Sequence, residues 1–185
     1  MTTGDRPTGP LSTRDASYQD AVDRFGPALE RLARAYEADQ EKRRDLTQDI
    51  HFAIWRSFEH YDGRCSLRTW VYQVAHNTAT SYVTRAFRLR RQQFVTLDEL
   101  DAEPAASDQP ADEALDRRLV LARLYALIQR LDPLDRQITV SYLDGLEAAE
   151  IAEIVGMSRG AVGMKVHRIK RLLGRQLNEG ATHDR

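Results

Sequence analysis

Between Ile154 and Asn178 the chain carries Arg159, Lys165, Arg168, Lys170, Arg171 and Arg175 and not one aspartate or glutamate. Guanidinium and ammonium groups with no acid among them suit one chemistry: neutralising phosphates and releasing their counterions. Projected at about 100° per residue, Gly160, Met164, His167, Arg168, Arg171 and Arg175 share one side of a helix. Val162, Val166, Ile169 and Leu173 recur at three- and four-residue steps on the other side, the spacing of a buried face. A helix that is merely solvated usually mixes both signs, so this one favours contact with duplex DNA. A second acid-free stretch runs from Gly63 to Leu97. Its Gln73, Asn77, Thr80, Thr84, Arg88 and Arg91 form a ridge of amide, hydroxyl and guanidinium groups, the types that bond base edges and phosphates. The loop before it supplies Arg64, Ser66, Leu67 and Thr69 beside Trp70 and Tyr72, polar and aromatic surroundings suited to an unstacked base of single-stranded DNA. Trp70 reads equally well as a core residue.

Helices must position these groups. Ile151, Ala152 and Val155 make an apolar stripe on a short helix, and Gly156 can take the left-handed backbone that ends it. Ser158 then stands where an N-cap belongs. Two helices joined by such a turn form a helix-turn-helix, whose second helix can enter a major groove. Two further helices precede it. Leu115, Leu119, Leu127, Ile128 and Leu131 line one; Asp132-Pro133 starts the other, which carries Ile138, Val140 and Leu143 and closes at Gly145.

Upstream, residues 1–17 read as a disordered Thr/Gly/Pro-rich tail. A helix follows over Tyr18–Asp39, with Val22, Phe25, Leu29, Leu32 and Tyr36 inward and Pro27 near a start or bend. Leu46, Ile50, Ala53 and Ile54 form the inner face of a helix over Arg43–Phe58. Its outer face places Phe52 and Trp55 beside Asp45, Gln48 and Asp49, so either another helix covers these aromatics or they anchor a protein partner. After the Tyr61-Asp62-Gly63 turn, a long helix spans Arg68–Arg91 with Trp70, Val71, Val74, Ala75, Thr78 and Tyr82 inward. Asp98–Asp112 is acidic, contains proline and lacks periodicity. It reads as a linker that either lies in a partner's basic channel or is a solvated tether. With no β alternation, the expected fold is all-α: two small helical domains joined by a flexible acidic linker, the C-terminal one a helix-turn-helix.

Composition bounds the rest. The 185 residues carry a net charge of −1, but that balance hides two basic segments joined by an acidic strap. Cys65 is the only cysteine, which excludes an internal disulfide framework and suits a reducing compartment. Neither a signal peptide nor an apolar run near the ~20 residues of a membrane span is visible, so a soluble, cytoplasmic protein without membrane insertion is expected. No Ser/His/Asp set, metal-ligand spacing or phosphate loop can be assembled. The expectation is therefore no enzyme, no cofactor and no metal.

The segments DLTQDIHFAIW, YDGRCSLRTWVYQVAHNTA and LDPLDRQITVSYLDGLEAAEIAEIVGMSRGAVGMKVHRIKRLL, in this order, resemble the extracytoplasmic-function (ECF) sigma factors of bacterial RNA polymerase. The resemblance implies a region 2-like domain over 18–96, a linker over 97–113, a region 4-like domain over 114–178 and a tail over 179–185. By that resemblance Asp45, Gln48, Asp49, Phe52 and Trp55 dock on the clamp helices of the largest β-type subunit. Arg64, Ser66, Leu67, Thr69, Trp70, Tyr72, Gln73, His76, Asn77 and Arg88 take the melted -10 element, the loop and Asn77 capturing a flipped base. Ser158, Arg159, Gly160, Gly163, Met164, Lys165, His167, Arg168 and Arg171 read the duplex -35 element. The implied partners are core polymerase with its flap, promoter DNA and an anti-sigma factor. The chain departs from the family pattern at Leu67, Ser81, Thr84, Glu147, Ala161, Gly163 and Met164, which bears on the promoter sequence rather than the class. Without both halves, the helix-turn-helix would equally suit a stand-alone regulator with an N-terminal dimerisation or sensing domain.

Overall fold

A computed structural model describes residues 13–90, 96 and 113–178. Its helices are α1 (Thr13–Tyr36), α2 (Gln40–Ser57), α3 (Leu67–Arg90), α4 (Glu113–Arg130), α5 (Pro133–Leu143), α6 (Ala148–Val155) and α7 (Arg159–Asn178). Among the described residues there is no strand, and the fold is all-α.

Local chemistry sets most of the boundaries. The Asp39 carboxylate accepts the amides of Glu41 and Lys42, both at 3.0 Å, so α2 starts at Gln40 rather than Arg43. Asp132 accepts the Asp135 amide at 2.9 Å, and Pro133 occupies the first turn of α5. Gly156, at φ 69°, closes α6 in the left-handed conformation that a β-carbon disfavours. Ser158 Oγ accepts the Ala161 amide at 3.2 Å and so opens α7, completing the helix-turn-helix.

The N-terminus departs from expectation. Helix α1 begins at Thr13, inside the span that reads as a tail. Tertiary partners explain the extra turn: the Tyr18 hydroxyl lies 3.0 Å from His51 Nδ1, and Asp15 accepts the Trp55 indole N–H at 2.9 Å. Composition alone does not reveal such partners.

Two apolar clusters hold the helices, and each borrows from the other half of the chain. Leu29, Leu32, Leu46, Ile50, Ile54, Val71 and Ala75 pack with Ile128 and Val140 from the C-terminal half. Ile138, Ile151, Ile154, Val162, Ile169 and Leu172 pack with Ala28 and Tyr72 from the N-terminal half. Each fully buried aliphatic side chain stabilises by roughly 1.5–3 kcal/mol.

Polar contacts reinforce this seam. Asp144 pairs with Arg31 at 2.8 Å, and its backbone carbonyl accepts from Arg68 at 3.0 Å. Gln129 Nε2 donates to the Arg34 carbonyl at 2.9 Å. Arg136, 1% exposed, donates to the Leu131 carbonyl at 2.9 Å and to that of Gln129, and lies 5.2 Å from the Tyr36 ring centroid. Burial lowers its pKa to about 10, which still leaves it charged at neutral pH. The two helical halves are thus pressed together along this seam. The predicted linker over Asp98–Asp112 and the predicted tail over 179–185 lie outside the described residues.

Candidate nucleic-acid and partner interfaces

Helix α7 separates its faces cleanly. Val162, Ile169 and Leu172 are inward at 4% exposure or less, and Leu172 takes the deep place that periodicity assigns to Leu173, which packs beside it. Outward lie Arg159, Gly160, Met164, His167, Arg168, Arg171 and Arg175, with Met164 67% exposed. Ser158 is exposed at the helix start. Gly163 is half-buried, and a β-carbon there would meet nothing within 4 Å. Lys165 requires a correction. Its ammonium pairs with the carboxylate of Asp135, whose side chain is 2% exposed, so it ties α7 to α5 instead of standing free for DNA. Helix spacing cannot reveal an ion pair between residues thirty positions apart.

The second candidate surface is split. Arg64 is exposed and pairs with Asp62 at 2.7 Å, on a turn that Gly63 closes at φ 76°. Ser66 Oγ accepts the Thr69 amide at 3.0 Å and bonds its hydroxyl at 2.9 Å, so Ser66 and the buried Thr69 form the N-terminal cap of α3. Leu67 packs at the edge of the first apolar cluster. Trp70 is half-buried, its indole donating to Ser57 Oγ at 2.9 Å and its ring 5.3 Å from Tyr61.

Tyr72 and His76 depart furthest from a DNA-facing role. They are 2% and 0% exposed and line the seam. His76 Nδ1 lies 3.0 Å from the Tyr36 hydroxyl and Nε2 3.0 Å from Ser141 Oγ, bridging the two halves. Burial depresses its pKa to about 3, so the imidazole is neutral, and burial likewise raises Tyr36 and Tyr72 to about 12.

Of the remaining residues, Gln73 is half-buried and Asn77 exposed. Asn77 opens into a groove of about 450 Å³ shared with Asp49, Thr78, Ser81, Tyr82 and Arg85. Only the α2–α3 packing brings Thr78, Ser81, Tyr82 and Arg85 beside Asp49. Asn77 stands ten positions beyond Leu67, about 15 Å along a helix axis. The side chain of Arg88 lies outside the described residues.

On α2 the docking candidates share one outer face: Asp45, Gln48 and Asp49 are exposed, Phe52 is 60% exposed and Trp55 half-buried. The Phe52 and Trp55 rings stack at 6.0 Å. Among the described residues no group of His, Cys, Asp and Glu could hold a metal ion, and no helix is long and apolar enough to cross a membrane.

Fold and surface together define a class: an all-helical protein with a C-terminal helix-turn-helix whose second helix is exposed on a basic, acid-free face. Family comparison narrows it. Residues 21–89 match the Sigma-70 region 2 family model, and residues 121–173 match that of Sigma-70 region 4. The chain is 27% identical to RNA polymerase sigma factor NccH of Alcaligenes xylosoxydans over 156 residues, covering 83% of each protein. It is 25% identical to the ECF sigma-E factor of Haemophilus influenzae, over 70% of this chain and 71% of that protein.

Similar solved structures are CnrH in complex with the cytosolic domain of CnrY and RpoE in complex with the anti-sigma factor NepR from Bartonella quintana. Each has a TM-score of 0.60, at 22% and 19% identity. The first likeness covers 87% of both chains, the second 91% of this chain and 98% of the other. The chain belongs to the sigma-70 family as an ECF sigma factor, an alternative specificity subunit that directs RNA polymerase to promoters.

Proposed function

We propose a division of labour along the chain: residues 18–96 dock on core polymerase and hold the melted -10 strand, and residues 114–178 read the -35 duplex. The observation that carries this is the exposed, acid-free face of α7, where Arg159, His167, Arg168 and Arg171 flank Gly160, Gly163 and Met164. Arginine forks suit both phosphates and guanine edges, and the two glycines permit close backbone approach to the groove. The exposed Asn77, Arg64 and Ser66 and the half-buried Gln73 remain the candidates for the -10 strand. Thr69, Tyr72 and His76 act as structural supports in this arrangement, and Lys165 braces α7.

Asp45, Gln48, Asp49, Phe52 and Trp55 would meet the clamp helices of the largest β-type subunit, with the region 4-like half on the flap. The function is binding and positioning rather than enzymatic turnover, exerted where polymerase works in the cytoplasm. An anti-sigma partner fits the same reading, since both structural neighbours are held in complex with another protein, in RpoE's case the anti-sigma factor NepR. Run-off transcription with purified core polymerase on promoters from the source genome tests the proposal. Specific initiation that depends on this protein is expected, and its absence on every promoter would reject it.

A further inference from the structure

The first turn of α1 lies ahead of the family-matched region, which begins at residue 21. Its side chains nevertheless converge on one residue of the docking face. Arg14 Cζ stands 3.7 Å from the centroid of the Trp55 ring, within cation–π range, and the guanidinium also pairs with Glu59. Asp15 Oδ1 accepts the Trp55 indole N–H at 2.9 Å. Phe52, itself 60% exposed, stacks on that same ring with an interplanar angle of 28°. A half-buried indole thus has its polar edge satisfied and its plane oriented by groups outside α2.

We infer that Arg14 and Asp15 are positioning residues for polymerase docking, an inference that rests on the reading of Phe52 and Trp55 as docking anchors. The two residues hold Trp55 in a single orientation, so the aromatic pair meets the clamp helices as a preformed platform. A loose indole would lose its rotamer freedom on binding. A held one has lost it already, a difference of up to about tenfold in affinity for one immobilised side chain. The arrangement also explains why α1 extends to Thr13: its first turn forms one flank of the platform.

The test measures affinity of the full-length chain for purified core polymerase, alongside the Trp55 indole N–H resonance assigned with W55F. R14A/D15A is expected to shift that resonance and to weaken polymerase binding about tenfold, with helical content unchanged. D15N, which keeps an oxygen acceptor for the indole, is expected to restore most of the affinity. R14K, which keeps charge but loses the planar guanidinium, is expected to restore less. If R14A/D15A moves the resonance while affinity stays the same or rises, the turn is only a cover and the inference fails. If R14A/D15A does not fold, D15N and R14K decide: full affinity in R14K, or none regained in D15N relative to D15A, overturns it. W55A separates the two levels, because unchanged polymerase binding in W55A would remove the docking reading itself.

Discussion

Helices α3 and α7 start from the same compositional signal, a long stretch without acids, and end in opposite situations. On α7 the arginines Arg159, Arg168, Arg171 and Arg175 are exposed, whereas Lys165 turns back to pair with Asp135 and Lys170 lies 5.6 Å from the Tyr142 ring centroid. On α3 the polar residues divide: Asn77 stays exposed, whereas Tyr72 and His76 disappear into the seam against the C-terminal half. The difference lies in what packs on each helix. The inner stripe of α7 packs in the second apolar cluster, and the opposite side of the helix is exposed. Helix α3 is used on two sides, packing on α1 and α2 and also receiving α5 and α6. An acid-free sequence therefore leaves a continuous exposed face only where the helix has a single buried side.

The strongest way to test that contrast is on α7. Reversing charge in R168E/R171E should lower specific run-off transcript by more than about 100-fold, since two phosphate or base contacts become repulsions. Thermal stability should barely move, because both side chains are exposed. A comparable collapse of the melting temperature would mean that this face is structural.

Acid should act on α3 instead. The neutral, buried His76 has a folded pKa of about 3 against an ordinary 6.5. The unfolded chain therefore binds more protons as pH falls, so stability is complete above about pH 6.5 and is lost progressively toward pH 3. Between pH 7 and 5 the loss is about 2 kcal/mol by linkage. Urea melts at both pH values should show it, and H76Q should flatten the dependence. A wild-type midpoint indifferent to pH would contradict the buried placement.

A smaller effect is expected from loosening the seam. D144A removes the ion pair to Arg31, a contribution of about 1 kcal/mol for a pair with one partner half exposed. Small-angle scattering should report a larger radius of gyration, and Tyr72 should become more reactive to nitration. No change in either would show that the apolar clusters alone hold the halves together.

The smallest effect sharpens the reading of α7. G163A fills open space in a helix interior and should raise stability by about 0.5–1 kcal/mol. If the backbone approaches DNA there, -35 binding should weaken severalfold in the same variant. A gain in both would remove Gly163 from the interface.

Much of this was readable beforehand, for identifiable reasons. The Asp132 and Ser158 caps, the Gly156 terminator and the inner stripes of α2 and α7 depend on neighbours within a turn or two, so spacing reveals them. The start of α1 was not readable, because its first two turns are held by Trp55 and His51 on α2 and by Glu59 just beyond it. Lys165 was misread for a similar reason: its counter-charge, Asp135, lies on α5.

The sequence by itself determined an all-helical chain, the position of the C-terminal basic helix, its acid-free face and the resemblance to sigma factors. The first three follow from side-chain type and short-range periodicity, and the resemblance rests on the three motif segments. Only the tertiary structure decided that His76 bridges Tyr36 and Ser141, that Arg136 lies buried near Tyr36, and that Arg14 and Asp15 frame Trp55. Those outcomes depend on which helix surfaces meet, and burial, which sets the cost of every polar group at the seam, is a property of that meeting rather than of any single helix.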